Sequence, residues 1–152
     1  MRMLLAVTLL SFAGCRTIIG SDHIEREVEN TVRDNERAVV ETRTLSGLAR
    51  LESSVADYIK HEGRIPAKLE DLVPKYLGEL PAVETGLRSH RDSTDVKIYG
   101  PEVLRDGQVN GTRLSDSGKW GYVFNDRQVV IFVDCTHQSS RGKPWYQERG
   151  VY

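Results

Sequence analysis

No proline interrupts the chain before Pro66, and the segment from about His23 to His61 is rich in Glu, Arg, Ala, Leu and Val. Proline removes a backbone donor that helices need, and straight-chain residues favour helix. The segment therefore reads as one long helix or two joined ones, and the rest of the fold must be arranged around it. Its halves differ. Between Glu25 and Arg43 ten of nineteen residues are charged, and Ile24, Val28, Val32 and Val39 form only a thin apolar stripe. Such a half belongs in solvent or against a partner with a narrow seam. From Leu45 onward the stripe strengthens through Leu48, Leu51, Val55, Tyr58 and Ile59, mostly three or four residues apart. This half should bury one face on a core. Gly47 marks a place for a bend, since glycine costs about 1 kcal/mol relative to alanine in a helix. His61, Gly63 and Pro66 mark the end.

Pro66 and Pro74 bracket a short helix with Leu69, Leu72 and Val73 on one face. After Pro81 the chain is loop-like, with Gly86 and a polar stretch from Arg88 to Thr94. The remainder is strand-like. Val96 to Tyr99 alternates and breaks at Gly100-Pro101, and Asp106-Gly107 and Asn110-Gly111 are turn signals. Lys119 to Phe124 and Gln128 to Asp134, joined across Asn125-Asp126-Arg127, read as a hairpin. The continuous apolar run from Val129 to Val133 fits a strand covered on both faces. Gln138 to Tyr152 is a polar tail.

The amino terminus is a separate signal. Met1-Arg2-Met3 is a basic start, Leu4 to Phe12 is apolar apart from Thr8 and Ser11, and Ala13-Gly14 precedes Cys15. Charge, a short apolar stretch and small residues mark a secretory signal. The stretch is too short for a bilayer core, which needs roughly 20 apolar residues. Ser11-Phe12-Ala13-Gly14-Cys15 resembles the lipobox of bacterial lipoproteins, with Phe12 where that family usually has an aliphatic residue. The resemblance implies a signal peptide over 1–14, a lipid on Cys15 and a short tether over 15–22. Removing 14 of the 152 residues leaves 138, enough for one modest core. Only Arg2 is lost among the charges, so the formal balance moves from −1 to −2. With signs interspersed, nothing marks a nucleic-acid footprint or a polybasic membrane patch. Of the two cysteines the lipobox uses one, so the lipidated chain has Cys135 alone and no internal disulfide.

The segment Tyr58 to Pro81, with its Gly63-Arg64-Ile65-Pro66 turn and Tyr76-Leu77-Gly78-Glu79-Leu80-Pro81 exit, resembles the region after the long helix in type IV pilin-like proteins, above all the major pseudopilin of type II secretion systems. Lys119-Trp120-Gly121-Tyr122-Val123-Phe124-Asn125 with Val129 to Asp134 is similar to the hairpin that closes the pseudopilin sheet. Together these cover roughly residues 45–137. The resemblance implies an α+β fold: a long N-terminal helix, residues 23–62, packed on a small antiparallel sheet, with a pilin-like domain over 45–152 that includes the helix's second half. The chain departs from the family in lacking its cleavage site and long apolar helix. That reads as a pilin-like head on a lipid tether and not as a filament subunit.

Candidate sites are few. Cys135 and His137 lie two apart at the end of a strand, beside Asp134, and alternate strand residues face one side. They are the weak candidates for a metal or a thiolate–imidazole pair. A metal needs more ligands, and His23, His61 and His90 cannot be placed, so the expectation is a buried thiol, a surface histidine, no metal and no cofactor. Asp92, Asp95, Asp116 and Asp126 scatter over polar loops without the tight spacing that the calcium site implied by the pseudopilin resemblance would need. Glu70 and Asp71 read as a solvated face. No phosphate loop, G-x-S-x-G or H-E-x-x-H occurs. Trp120 and Tyr122 belong to a core, whereas Trp145 and Tyr146 in the tail are candidates for binding a partner.

These features lead to one main expectation. The chain is a non-enzymatic scaffold or accessory protein of the bacterial cell envelope, held to a membrane by the lipid on Cys15. Its domain stands on the periplasmic or extracellular side, with envelope or secretion-system proteins as partners and no nucleic acid. The alternatives are a small-ligand or metal-binding lipoprotein using Cys135 and His137, and a thiol-based enzyme, which needs an exposed and acidic Cys135.

Overall fold

Leu45, Leu48, Leu51, Val55 and Tyr58 are the residues that helix α1 (Ser21–Glu62) turns onto the core, each no more than 4% exposed. The computed structural model describes residues 21–126 and 128–148, so the signal-like segment, Cys15 and most of the tether lie outside the described residues. The helix begins two residues earlier than the spacing suggests and passes Gly47 unbroken. Gly47 is there for close approach: an added Cβ would lie 3.0 Å from Pro81 Cβ and 3.5 Å from the Trp120 ring. Gly63 closes α1 in the left-handed conformation, φ 68°, and its amide donates to the Ile59 carbonyl at 2.9 Å.

The helix docks earlier than its hydrophobic stripe indicates. Every side chain from His23 to Glu36 is exposed, but Glu41, in the charged half, is buried. Its carboxylate accepts the Ser140 amide at 2.7 Å, the Ser140 hydroxyl and Arg37 Nε at 3.1 Å. Arg37 also donates to the Gln138 carbonyl at 2.7 Å. The polar tail thus packs against α1 through hydrogen bonds, a contact that hydrophobic periodicity cannot register.

The chain is α+β, as expected, with a three-stranded sheet under the helix. Strands β4 (Trp120–Phe124) and β5 (Val129–Val133) form an antiparallel hairpin, Trp120 opposite Val133 and Phe124 opposite Val129. Strand β1 (Val96–Tyr99) pairs with the other edge of β4 in parallel, Val96 opposite Trp120, so the sheet is mixed and not wholly antiparallel. A parallel pair needs a crossover. Residues 100–119 supply it, carrying the small hairpin β2 (Leu104–Arg105) and β3 (Gln108–Val109). Asp106 and Gly107, with φ of 52° and 77°, form the two-residue turn of that hairpin.

The sheet is covered on both faces, which accounts for the apolar run in β5. Trp120, Tyr122, Ile131 and Val133 pack with α1, Leu69, Leu72 and Val83. Val123 and Phe132 face the other way, onto Val103 and Val109, and Phe132 lies across Gly121, where a Cβ would come within 2.3 Å of the ring. Three of the polar side chains in the core are satisfied from the loop that wraps the sheet. Trp120 Nε1 donates to the Pro81 carbonyl and the Tyr122 hydroxyl to the Pro66 carbonyl, both at 2.7 Å. Thr44 Oγ1 bonds both the amide and the carbonyl of Glu84.

Candidate functional site

At one end of the sheet, β1 and β4 begin and β5 ends. The ladder continues a step beyond the strands there: Gly118 N–H donates to the Asp134 carbonyl, Asp134 N–H to the Lys119 carbonyl and Trp120 N–H to the Asp95 carbonyl. Three loops therefore meet. One carries His90 ahead of β1, one carries Asp116 ahead of β4, and one carries Cys135 and His137 after β5.

Their donor atoms converge, with one atom from each residue lying within 4.8 Å of all the others. Cys135 Sγ stands 3.6 Å from His137 Nδ1, which is 3.4 Å from Asp116 Oδ2, while Asp116 Oδ1 is 3.5 Å from His90 Nε2. The two imidazole rings meet edge to face at 5.2 Å. Cys135 is fully buried, and the side chains of His90, Asp116 and His137 are 5%, 32% and 44% exposed.

The surroundings hold each side chain in place. Asp134, wholly buried, accepts the hydroxyls of Ser115 and Ser117 and the amides of Asp116 and Ser117, fixing the loop that presents Asp116. Burial works to raise the Asp134 pKa, but the Ser117, Ser115 and Tyr99 hydroxyls outweigh it and hold the carboxyl below the usual range. Asp116 accepts the Thr136 amide at 2.7 Å. Burial again works to raise its pKa, and the Thr136 amide with the two imidazoles brings it below the usual range. Gly118, φ 71°, lies against His90: a Cβ there would stand 2.6 Å from His90 Cβ and Cγ. The tail fixes the third loop, since Trp145 N–H donates to the His137 carbonyl and Tyr146 N–H to the Cys135 carbonyl.

Two features bear on chemistry. Burial pushes the Cys135 thiol up to about 12, so the free side chain is a protonated, inaccessible thiol and lacks the exposure and acidity of a nucleophilic cysteine. His90 Nε2 is buried without a hydrogen-bond partner; among the described residues only Trp145 Nε1 shares that condition. Leaving such an atom unpaired costs about 1–3 kcal/mol.

The structure thus joins Cys135 and His137, as their spacing suggests, and adds His90 and Asp116, which the sequence left unplaced or scattered. His23 sits on the exposed half of α1 beside Glu27, and His61 lies at its far end beside Tyr76. Asp95 is paired with Lys119 at 2.6 Å, and Asp92 and Asp126 are exposed. Trp145 corrects the sequence reading: it is fully buried and offers a partner no surface. Tyr146 is half-buried against the Val103 and Phe132 cluster. The tail is polar in composition, but its Trp reaches the core because the tail folds back along Cys135 and His137.

A second feature is on α1. Ile24, Val28, Val32 and Val39 are exposed, between 48% and 58%, on one side of the helix. Among the described residues, no helix is long and apolar enough to cross a membrane. Comparison with protein-family models, curated proteins and solved structures finds no match.

Proposed function

We propose that this chain is a lipid-anchored, non-enzymatic protein of the bacterial envelope, whose head is held off the membrane by a helical stalk and acts through protein contacts. The observation that carries this reading is the first part of α1, where all side chains from His23 to Glu36 are exposed and an apolar stripe runs along one side. At 1.5 Å per residue this free part reaches about 20 Å, which is shorter than the whole charged half would give because docking starts at Arg37. A helix with a narrow apolar seam on a charged surface is suited to meeting a partner laterally. The lipobox-like Ser11 to Cys15 supplies the anchor, and the motifs in Tyr58–Pro81 and Lys119–Asp134 support a pilin-like head. The lipid then takes the place of the apolar helix that pilins use.

Two measurements test this. Expressed in bacteria fed a labelled fatty acid, the chain should take up label and fractionate with membranes, and Cys15→Ala should do neither. A photo-crosslinking residue at Val28 or Val32 should trap an envelope protein in the anchored chain. Label retained by Cys15→Ala, or no adduct from any stripe position, would count against the proposal.

A further inference from the structure

We infer that His90, Asp116, Cys135 and His137 form a tetrahedral binding site for a zinc-class divalent cation. A tetrahedral zinc shell with sulfur at about 2.3 Å and nitrogen or oxygen at about 2.0–2.1 Å sets its ligands about 3.3–3.7 Å apart. Cys135 Sγ to His137 Nδ1, at 3.6 Å, falls in that range. So does Asp116 to each imidazole, at 3.4 Å through Oδ2 to His137 and 3.5 Å through Oδ1 to His90, and with one donor atom per residue no pair exceeds 4.8 Å. Closing the widest pair needs a shift of roughly 1 Å. His137 and Asp116, the more exposed members, have room for it.

The donor set specifies the metal class. One thiol, two imidazoles and one carboxylate suit zinc, whereas calcium and magnesium take oxygen ligands. The unpartnered Nε2 of His90 is a second, independent sign. It belongs to a side chain 95% buried by its 5% exposure, aimed at the other three donors, and nothing else among the described residues bonds it. Gly118 makes room for that ring, and Thr136 and Asp134 orient the carboxylate loop, the outer support that metal sites use. Four protein donors leave no position for water, which makes the site structural. The ion replaces the thiol proton, which leaves to solvent, and ties three loops together in a chain whose only described cysteine forms no disulfide.

The full chain carrying Cys15→Ala, in mild detergent, has Cys135 as its sole thiol. After reduction and chelation, cobalt(II) should bind one ion per chain. It should give a thiolate-to-metal charge-transfer band and the intense visible bands of tetrahedral cobalt, both abolished by zinc. Zinc should raise the melting temperature. Cys135→Ser should lose the charge-transfer band, and His137→Asn should bind zinc at least tenfold more weakly by equilibrium dialysis. His137 is the most exposed of the four, at 44%, so that variant decides the matter if Cys135→Ser fails to fold. A folded parent chain that retains no stoichiometric zinc would overturn the inference. So would octahedral cobalt without a thiolate band, or undiminished binding in His137→Asn. None of these three results bears on the anchor at Cys15.

Discussion

Gly118 has two reasons to be glycine, a left-handed backbone and the His90 ring packed where a Cβ would stand. Gly118→Ala should therefore lower stability by about 1–3 kcal/mol in urea denaturation. A variant as stable as the parent would mean that His90 is not held there. The same scale shows what the sequence revealed of the site. Cys135 and His137 were legible as a pair from their spacing, but strand alternation is not what joins them: β5 ends at Val133, and the loop beyond it, held by the tail, brings the two side chains together. His90 and Asp116 were not legible, since no local spacing links a loop ahead of β1 to one ahead of β4. Only the parallel pairing of those strands makes them neighbours. The signal available was the run Ser115-Asp116-Ser117-Gly118, a turn whose glycine and small polar residues permit positive φ at Asp116 and Gly118.

At the scale of elements, α1 was readable because its second half has a strong period, while its docking through Glu41 was hidden inside a charged run. Glu41→Ala should strand the Ser140 amide and release the tail, costing about 1.5–3 kcal/mol, as for hydrogen bonds to charged groups. Limited proteolysis should then cut between residues 138 and 148 first, and a tail equally protected in the variant would refute the role given to Glu41. The helix's other end has an electrostatic latch. The Lys75 ammonium and Tyr76 hydroxyl, bonded to Glu62 at 2.8 and 2.6 Å, hold its carboxyl below the usual glutamate range. A depressed folded pKa contributes stability above the unfolded value and loses it as pH falls through the folded one. Since the pair is exposed the contribution is small. By NMR titration, Glu62 should protonate below the ordinary glutamate range, and Lys75→Ala should move it upward.

For the molecule as a whole, the division of labour along α1 makes a sharper demand than any single contact. The mixed sheet and both of its covered faces draw on residues from Leu45 onward, and the hydrogen bonds to the tail begin at Arg37. Nothing from His23 to Glu36 is buried, so that part adds no buried contact to the rest of the fold. Stability is not uniform along a structure, and an exposed segment with no buried contacts lies at its low end. A chain starting at Arg37 should consequently melt within a degree or two of the longer protein, since losing an exposed helical segment changes stability by only about 0.5 kcal/mol. A chain starting at Leu45 loses Glu41 and the paired bonds of Thr44 to Glu84, and should be destabilised by several kcal/mol or fail to fold. The two truncations differ by one short stretch of one helix. If both were equally stable, the tail would not need α1; if both unfolded, the charged half would be part of the head and the stalk reading would fail.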